Sequence, residues 1–146
     1  MNTKTQQAIS NYINSKKELS FDGIDRSKVY NSVIAFIEKG GNPRTYTEEI
    51  MQFTGYEYDL CNDILLNSLK KYQAITTKEK MIAAGILAFE WSDSGDKRVC
   101  SYCSQRNGKV YFFSDNPVFP GELEGCRCIA YALDEFELAD YLNKSI

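Results

Sequence analysis

The sequence predicts an α+β protein in two parts: a helical bundle over residues 1–89, then a small β-rich module over 90–146 that closes with a short helix. Three observations carry this reading. Apolar residues recur at helical spacing as far as about Phe89, and glycines with a proline interrupt that stretch as helix stops. Beyond Glu90 the periodicity gives way to turns, aromatics and four of the five cysteines. With 146 residues, 43% hydrophobic and 25% charged, the chain has enough apolar material to build a core and lacks the bias of a disordered segment.

Each element has its own signal. Ala8, Ile9, Tyr12 and Ile13 line one face of a helix over 4–16, which a polar turn through Asp22 and Gly23 follows. A second helix over 27–39 carries Val29, Val33, Phe36 and Ile37 and is stopped by Gly40, Gly41 and Pro43. Thr45 with Glu48 three residues on fits a capping box, opening a short helix to Thr54 that ends at Gly55. The next helix, 57–71, aligns Leu60, Ile64, Leu65 and Leu69, with Cys61 on its apolar side as a buried structural cysteine. A further helix is expected from Thr76, again with a glutamate at Glu79, through Met81, Ile82, Ile86 and Phe89.

This order of helix, glycine stop, short helix, glycine turn and longer helix is helix-turn-helix-like, and residues 65–76 read like the close of a winged-helix unit. The would-be recognition helix, however, opens with Glu57, Tyr58 and Asp59, followed by Asn62 and Asp63. Carboxylates there would face the phosphates with no counterion release to compensate. Glu57 and Asp59 are therefore candidates for contact with a protein. The bland reading of the segment is an all-helical core.

The chain has no histidine. That excludes Ser-His-Asp and Cys-His catalysis and a histidine-ligated catalytic metal, and leaves no side chain whose ordinary pKa lies near neutrality. The formal charge of -3 argues against a general polyanion binder. It is unevenly spread. Residues 1–75 hold nine bases and nine acids, whereas Lys97, Arg98, Arg106 and Lys109 gather around a cysteine pair and Asp134, Glu135, Glu137 and Asp140 gather in the tail. The tail reads as an amphipathic helix carrying Phe136, Leu138 and Tyr141 with its charges in water. No apolar run approaches the roughly 18 residues that span a bilayer, and the N-terminus lacks a signal-peptide core, so a cytoplasmic or virion location is expected.

Cys100-Ser-Tyr-Cys103, then 22 residues, then Cys126-Arg-Cys128 supplies two close pairs of thiolates, the donor set of a tetrahedral structural zinc site. Between the pairs, Asn107-Gly108 signals a turn ahead of the aromatic run Tyr111-Phe112-Phe113. A hairpin there would return the chain to the second pair at little closure cost. Zinc on four thiolates carries a net charge of -2, and Lys97, Arg98, Arg106, Lys109 and Arg127 lie beside the ligands in sequence, able to lower the thiol pKa values. Two disulfides, an iron-sulfur cluster or a redox pair are the other uses of four cysteines, and the lack of a secretion signal disfavours the disulfides. Trp91 reads as a core residue covering the site. Tyr102, inside the first turn, forms a candidate contact patch with Arg98 and Arg106, a solvated loop being the simpler alternative.

Glu90-Trp91, Asp96, Val99-Cys100, Cys103, Gly108-Lys109 and Cys126-Arg127-Cys128 resemble the C-terminal motif of phage Mu F-like minor head and head-morphogenesis proteins. The resemblance covers about residues 85–130. Leu123 stands where family members usually carry a histidine, and those proteins are usually much longer. It implies a phage or prophage origin and a zinc-stabilised module in a non-enzymatic, assembly-related protein.

The function expected is thus a zinc-stabilised interaction protein without catalytic residues. Its partner would be a protein: a phage structural component, or a host factor, such as a defence system, that it inhibits. The alternative is a nucleic-acid-binding module using Lys97, Arg98, Tyr102, Arg106 and Lys109. A small nuclease-type toxin would need an acid-base set without histidine, for which Glu90, Asp93 and Arg98 are the only groups to point at.

Overall fold

The computed structural model describes residues 1–21, 23–93, 101–123 and 128–144, the side chains of Ser101 and Tyr102 apart. It divides into two compact units, 1–72 and 73–146. The fold is mixed and helix-rich, with a small three-stranded antiparallel sheet and a C-terminal helix.

The first unit is built from α1 (Thr3–Ser15), α2 (Arg26–Lys39), α3 (Pro43–Thr54) and the first part of α4 (Tyr58–Ala83). Each of the first three starts on a polar cap that satisfies backbone donors left open by helix geometry. Asn2 Oδ1 accepts from the Thr5 amide at 2.8 Å, and Asp25 Oδ1 accepts from Ser27 and Lys28. Asn42 Oδ1 accepts from Arg44 at 3.0 Å. The third of these corrects the sequence reading. α3 starts at Asn42 with Pro43 in its first turn, where a missing N–H costs nothing, and Thr45 lies inside the helix. The helix ends as expected at Gly55, whose φ of 75° is left-handed.

The apolar stripes of these helices meet in one core. Ile9, Tyr12 and Ile13 from α1 join Val29, Val33 and Phe36 from α2, Ile50 from α3, and Cys61, Ile64 and Leu65 from α4. A 3-10 turn at Lys17–Leu19 adds Leu19, and the Tyr56 hydroxyl, donating to the Glu18 carbonyl, ties that turn to the loop before α4. Each fully buried aliphatic side chain here contributes about 1.5–3 kcal/mol. Buried Thr47 is satisfied by the Pro43 carbonyl and by Asn62 Oδ1.

Two expectations fail at α4. It runs unbroken through Thr76 and Glu79, because a capping-box pattern starts a helix only where the preceding chain leaves helical geometry, and Gln73-Ala74-Ile75 does not. The region read as the close of a winged helix is therefore mid-helix, and among the described residues of the first unit there is no strand to serve as a wing. The helix stops at a turn through Ala84 and Gly85, where Gly85 takes a φ of 82°. Phe89, expected on a helix, lies instead in β1 (Ala88–Ser92).

In the second unit, β1 is the central strand, flanked by β2 (Val110–Phe112) and β3 (Ile129–Ala132), both antiparallel to it. The short α5 (Ser101–Arg106) lies between β1 and β2 in sequence, and α6 (Glu135–Lys144) follows β3. Among the described residues, the hairpin expected between the two cysteine pairs is not formed. β2 is the one strand there among the described residues, and it pairs with β1, upstream of the first pair. The division proposed near Glu90 falls inside β1.

α6 carries a reciprocal capping box. The Glu137 amide donates to Asp134 Oδ1 at 2.8 Å, and the Asp134 amide donates to Glu137 Oε1 at 3.3 Å. Its apolar residues behave differently from the expected buried stripe. Leu138 is half-buried, Tyr141 and Leu142 are exposed, and Phe136, on the opposite side of the helix, is 85% exposed.

Candidate metal centre and binding surfaces

Strand alternation places Phe89 and Trp91 on one face of β1, with Tyr111 and Ala130 beside them from the neighbouring strands. That face is the inner one. Phe89 is in ring contact with Tyr111, Phe113 and Phe119, at centroid distances of 5.8, 5.2 and 5.0 Å, and Trp91 meets Tyr111 edge-on at 6.1 Å. The buried members of this second core are Ala74, Phe89, Trp91, Cys103, Phe119 and Cys128. Ala74 and Phe119 are the members that the sequence reading missed, the larger being Phe119. Its signal is an apolar Val118-Phe119 pair held between Pro117 and Pro120.

Two of the four paired cysteines are thus brought together in one cluster. Cys103 comes from α5 and Cys128 from the residue before β3, at 2% and 7% exposure. The placement of Cys103 follows from the turn after it. The Lys109 amide donates to the Arg106 carbonyl at 3.0 Å, and Gly108, at a φ of 79°, donates to the Trp91 carbonyl at 2.7 Å. The Trp91 amide returns a bond to the Lys109 carbonyl at 2.9 Å, and the Asp93 amide donates to Asn107 Oδ1. The Asn107-Gly108 turn therefore holds the C-terminal end of α5 against β1. Gly121 comes so close to α4 that a Cβ there would sit 3.3 Å from Ala74 Cβ.

The chemistry available at this place is that of sulfur in an aromatic, largely apolar surround. The other member of each pair, Cys100 and Cys126, lies outside the described residues, as do Lys97, Arg98 and Arg127 and the side chain of Tyr102. Among the described residues there is no group of three or more His, Cys, Asp or Glu able to hold a metal ion. The two donors described there are thiols, the type that suits a soft, thiolate-binding metal.

The remaining candidates are dispersed. Arg106 and Lys109 close one turn, Arg106 half-buried and Lys109 exposed. Glu57 and Asp59 are exposed at the start of α4, where negative charge is favourable to the helix dipole. Glu90 sits on the outer face of the sheet between Val110 and Tyr131, whereas Asp93 lies past the end of β1. Cys61 belongs to the first core, where burial pushes its thiol above the ordinary value of 9.0 while the Thr54 hydroxyl, 3.6 Å away, acts the other way. No described helix is long and apolar enough to cross a membrane. Compared with family models, curated proteins and solved structures, the chain matches none.

Proposed function

We propose that this is a non-catalytic interaction protein of phage or mobile-element origin, stabilised by one zinc ion on Cys100, Cys103, Cys126 and Cys128, and that it binds another protein. One observation carries the metal reading. Cys103 and Cys128, one from each close pair and 25 residues apart, are buried in the same small aromatic core. Thiolates buried in pairs need a cation or a bridge to offset desolvation, and a tetrahedral zinc supplies it. Trp91 and Phe119 would then shield the sulfurs from water, and the turn at Gly108 would fix the first pair.

A unit this small has little core of its own, so structural zinc contributes what packing lacks. With no histidine for general acid-base work, a role in recognition suits the chain better than one in catalysis. The exposed carboxylates Glu57 and Asp59 favour a protein over a polyanion as the partner of the first unit.

The test has two arms. Elemental analysis of protein purified without chelator should give one zinc per chain, retained in Cys61→Ser and lost in Cys103→Ser. Nuclease-treated lysate of the native host should yield a defined protein on the immobilised chain, weakened by Glu57→Lys with Asp59→Lys. Metal-free protein refutes the first arm. Recovery of nucleic acid alone, abolished by Arg106→Gln with Lys109→Gln, refutes the second.

A further inference from the structure

Among the described residues, α6 is the one α-helix that buries no residue. A ten-residue helix with so little packing is marginal in water, and this one is held by local devices instead. The Asp134–Glu137 capping box closes its start, and Glu135 and Glu137 lie in the first turn, where the helix dipole favours negative charge. Lys144 in the last turn bridges Asp140 at 2.9 Å. The helix is thus preformed, with its outer side, opposite half-buried Leu138, left to solvent. On that side stands Phe136, 85% exposed, more than any other large hydrophobic side chain among the described residues. Helical geometry sets the small Ala139 and Asp140 beside it one turn on, and Glu135 and Glu137 about 100° to either side.

We propose that the outer side of α6 is a docking surface, anchored by Phe136, for a protein that offers an apolar pocket rimmed by lysine or arginine. Charge selects this occupant. Asp134, Glu135, Glu137 and Asp140 stand against Lys144 alone. A second copy of α6 would bring the same surplus of carboxylates against the first, and like charges facing each other across a contact are repulsive. Nucleic acid and anionic lipid surfaces are repelled in the same way. A basic rim turns the same carboxylates into favourable pairs around the aromatic ring. An aromatic side chain seated in a dry pocket, with polar groups around it, is where the energy of a small interface concentrates. Because α6 is already helical, little ordering is left for binding to pay.

One short helix in a groove makes a transient complex, with a dissociation constant of roughly 1–100 μM. The inference rests on the reading that the chain binds a protein and gives the second unit a surface of its own in that role, beside Glu57 and Asp59 of the first. It is independent of the metal.

The test is the full chain with photoreactive benzoylphenylalanine at Asn143, two turns from Phe136 on the same side of α6, irradiated in nuclease-treated lysate of the native host. It should cross-link to one defined protein, whose binding to the unaltered chain is then measured in purified form. Phe136→Ala should weaken that binding by about tenfold or more, as should Glu135→Lys with Asp140→Lys. Affinity of the unaltered chain should fall several-fold between about 50 and 500 mM salt, and that of the charge-reversed variant should hardly change. Both variants keep the capping box, and alanine, the best helix former, replaces an exposed ring, so α6 survives the substitutions. Cross-linking only to a second copy or to lipid overturns the proposal, as does a protein partner indifferent to both variants. A captured protein that depends on Glu57 and Asp59 but not on Phe136 overturns this inference and leaves the proposed function standing, whereas capture of no protein overturns both.

Discussion

Phe119 presents its ring to Phe89 edge-on, with centroids 5.0 Å apart and planes at 66°. Phe119 reaches the sheet from a loop between two prolines, so the contact joins an irregular segment to the central strand. Both rings are buried, and both belong to the cluster that holds Cys103 and Cys128. Truncating either ring removes apolar contact and leaves a cavity in a core of few members. Phe119→Ala should therefore destabilise the second unit by about 3–5 kcal/mol. The loss should appear as faster amide exchange through β1 and β2, with protection in α1 and α2 unchanged. Uniform loss of protection across both units would contradict this.

Metal removal should be equally local. If zinc joins the two cysteine pairs, its binding free energy, on the order of 10–16 kcal/mol for structural sites, is folding free energy for the second unit. Among the described residues, the first unit has its own core of eleven buried hydrophobic residues. A chelator should collapse the amide spectrum of residues 73–146 while most of the helicity of residues 1–72 persists. An unchanged spectrum after proven loss of metal would show that the aromatic cluster suffices without it.

The start of α3 separates two capping schemes. Asn42 supplies the capping oxygen and Thr45 is an exposed residue within the helix. Asn42→Ala should cost about 1 kcal/mol, and Thr45→Ala should stay within about 0.5 kcal/mol of the unaltered chain. Denaturant unfolding of the two variants side by side decides it. A larger loss for Thr45→Ala would restore the capping box to Thr45 and Glu48.

These sites also show how far the sequence could be read. Signals that rest on backbone sterics transferred to the structure, because glycine is nearly alone in reaching left-handed geometry: Gly40 and Gly55 end α2 and α3 where expected. Side-chain capping patterns did not transfer, since Thr45-x-x-Glu48 and Thr76-x-x-Glu79 are stereochemically fit to cap but sit within continuing helices. Phe89 was misassigned because a spacing of three from Ile86 suits a helix, while the deciding feature was the Ala84-Gly85 turn before it. At the candidate metal centre, the sequence singled out Trp91, Cys103 and Cys128, which the second core brings together. For Phe119 the only signal was the apolar pair between Pro117 and Pro120, and its role depends on a loop returning to the sheet; nothing local foretold that β2 and β3 pair with β1.

Cys61 gives a prediction with a definite sign. Its thiol is fully buried beneath the loop between α3 and α4, and burial in apolar surroundings disfavours the thiolate, so its pKa in the folded chain lies above the ordinary 9.0. As pH rises, the unfolded chain loses this proton first and then binds fewer protons than the native state, so stability falls with pH. The contribution is fully present below the unfolded value and is lost as pH climbs from there through the folded one, at no more than about 1.4 kcal/mol per pH unit. Lysines and tyrosines titrate in the same range, so the informative quantity is a difference. Cys61→Ala should lower stability by a roughly constant amount up to about pH 8, because the packing of the sulfur is lost, and its deficit should shrink as pH rises above that. Urea unfolding of both proteins followed by helical circular dichroism between neutral and alkaline pH would measure the two curves. If they run parallel over the whole range, the thiol ionises as freely in the folded chain as in the unfolded one, and the burial argument for Cys61 fails.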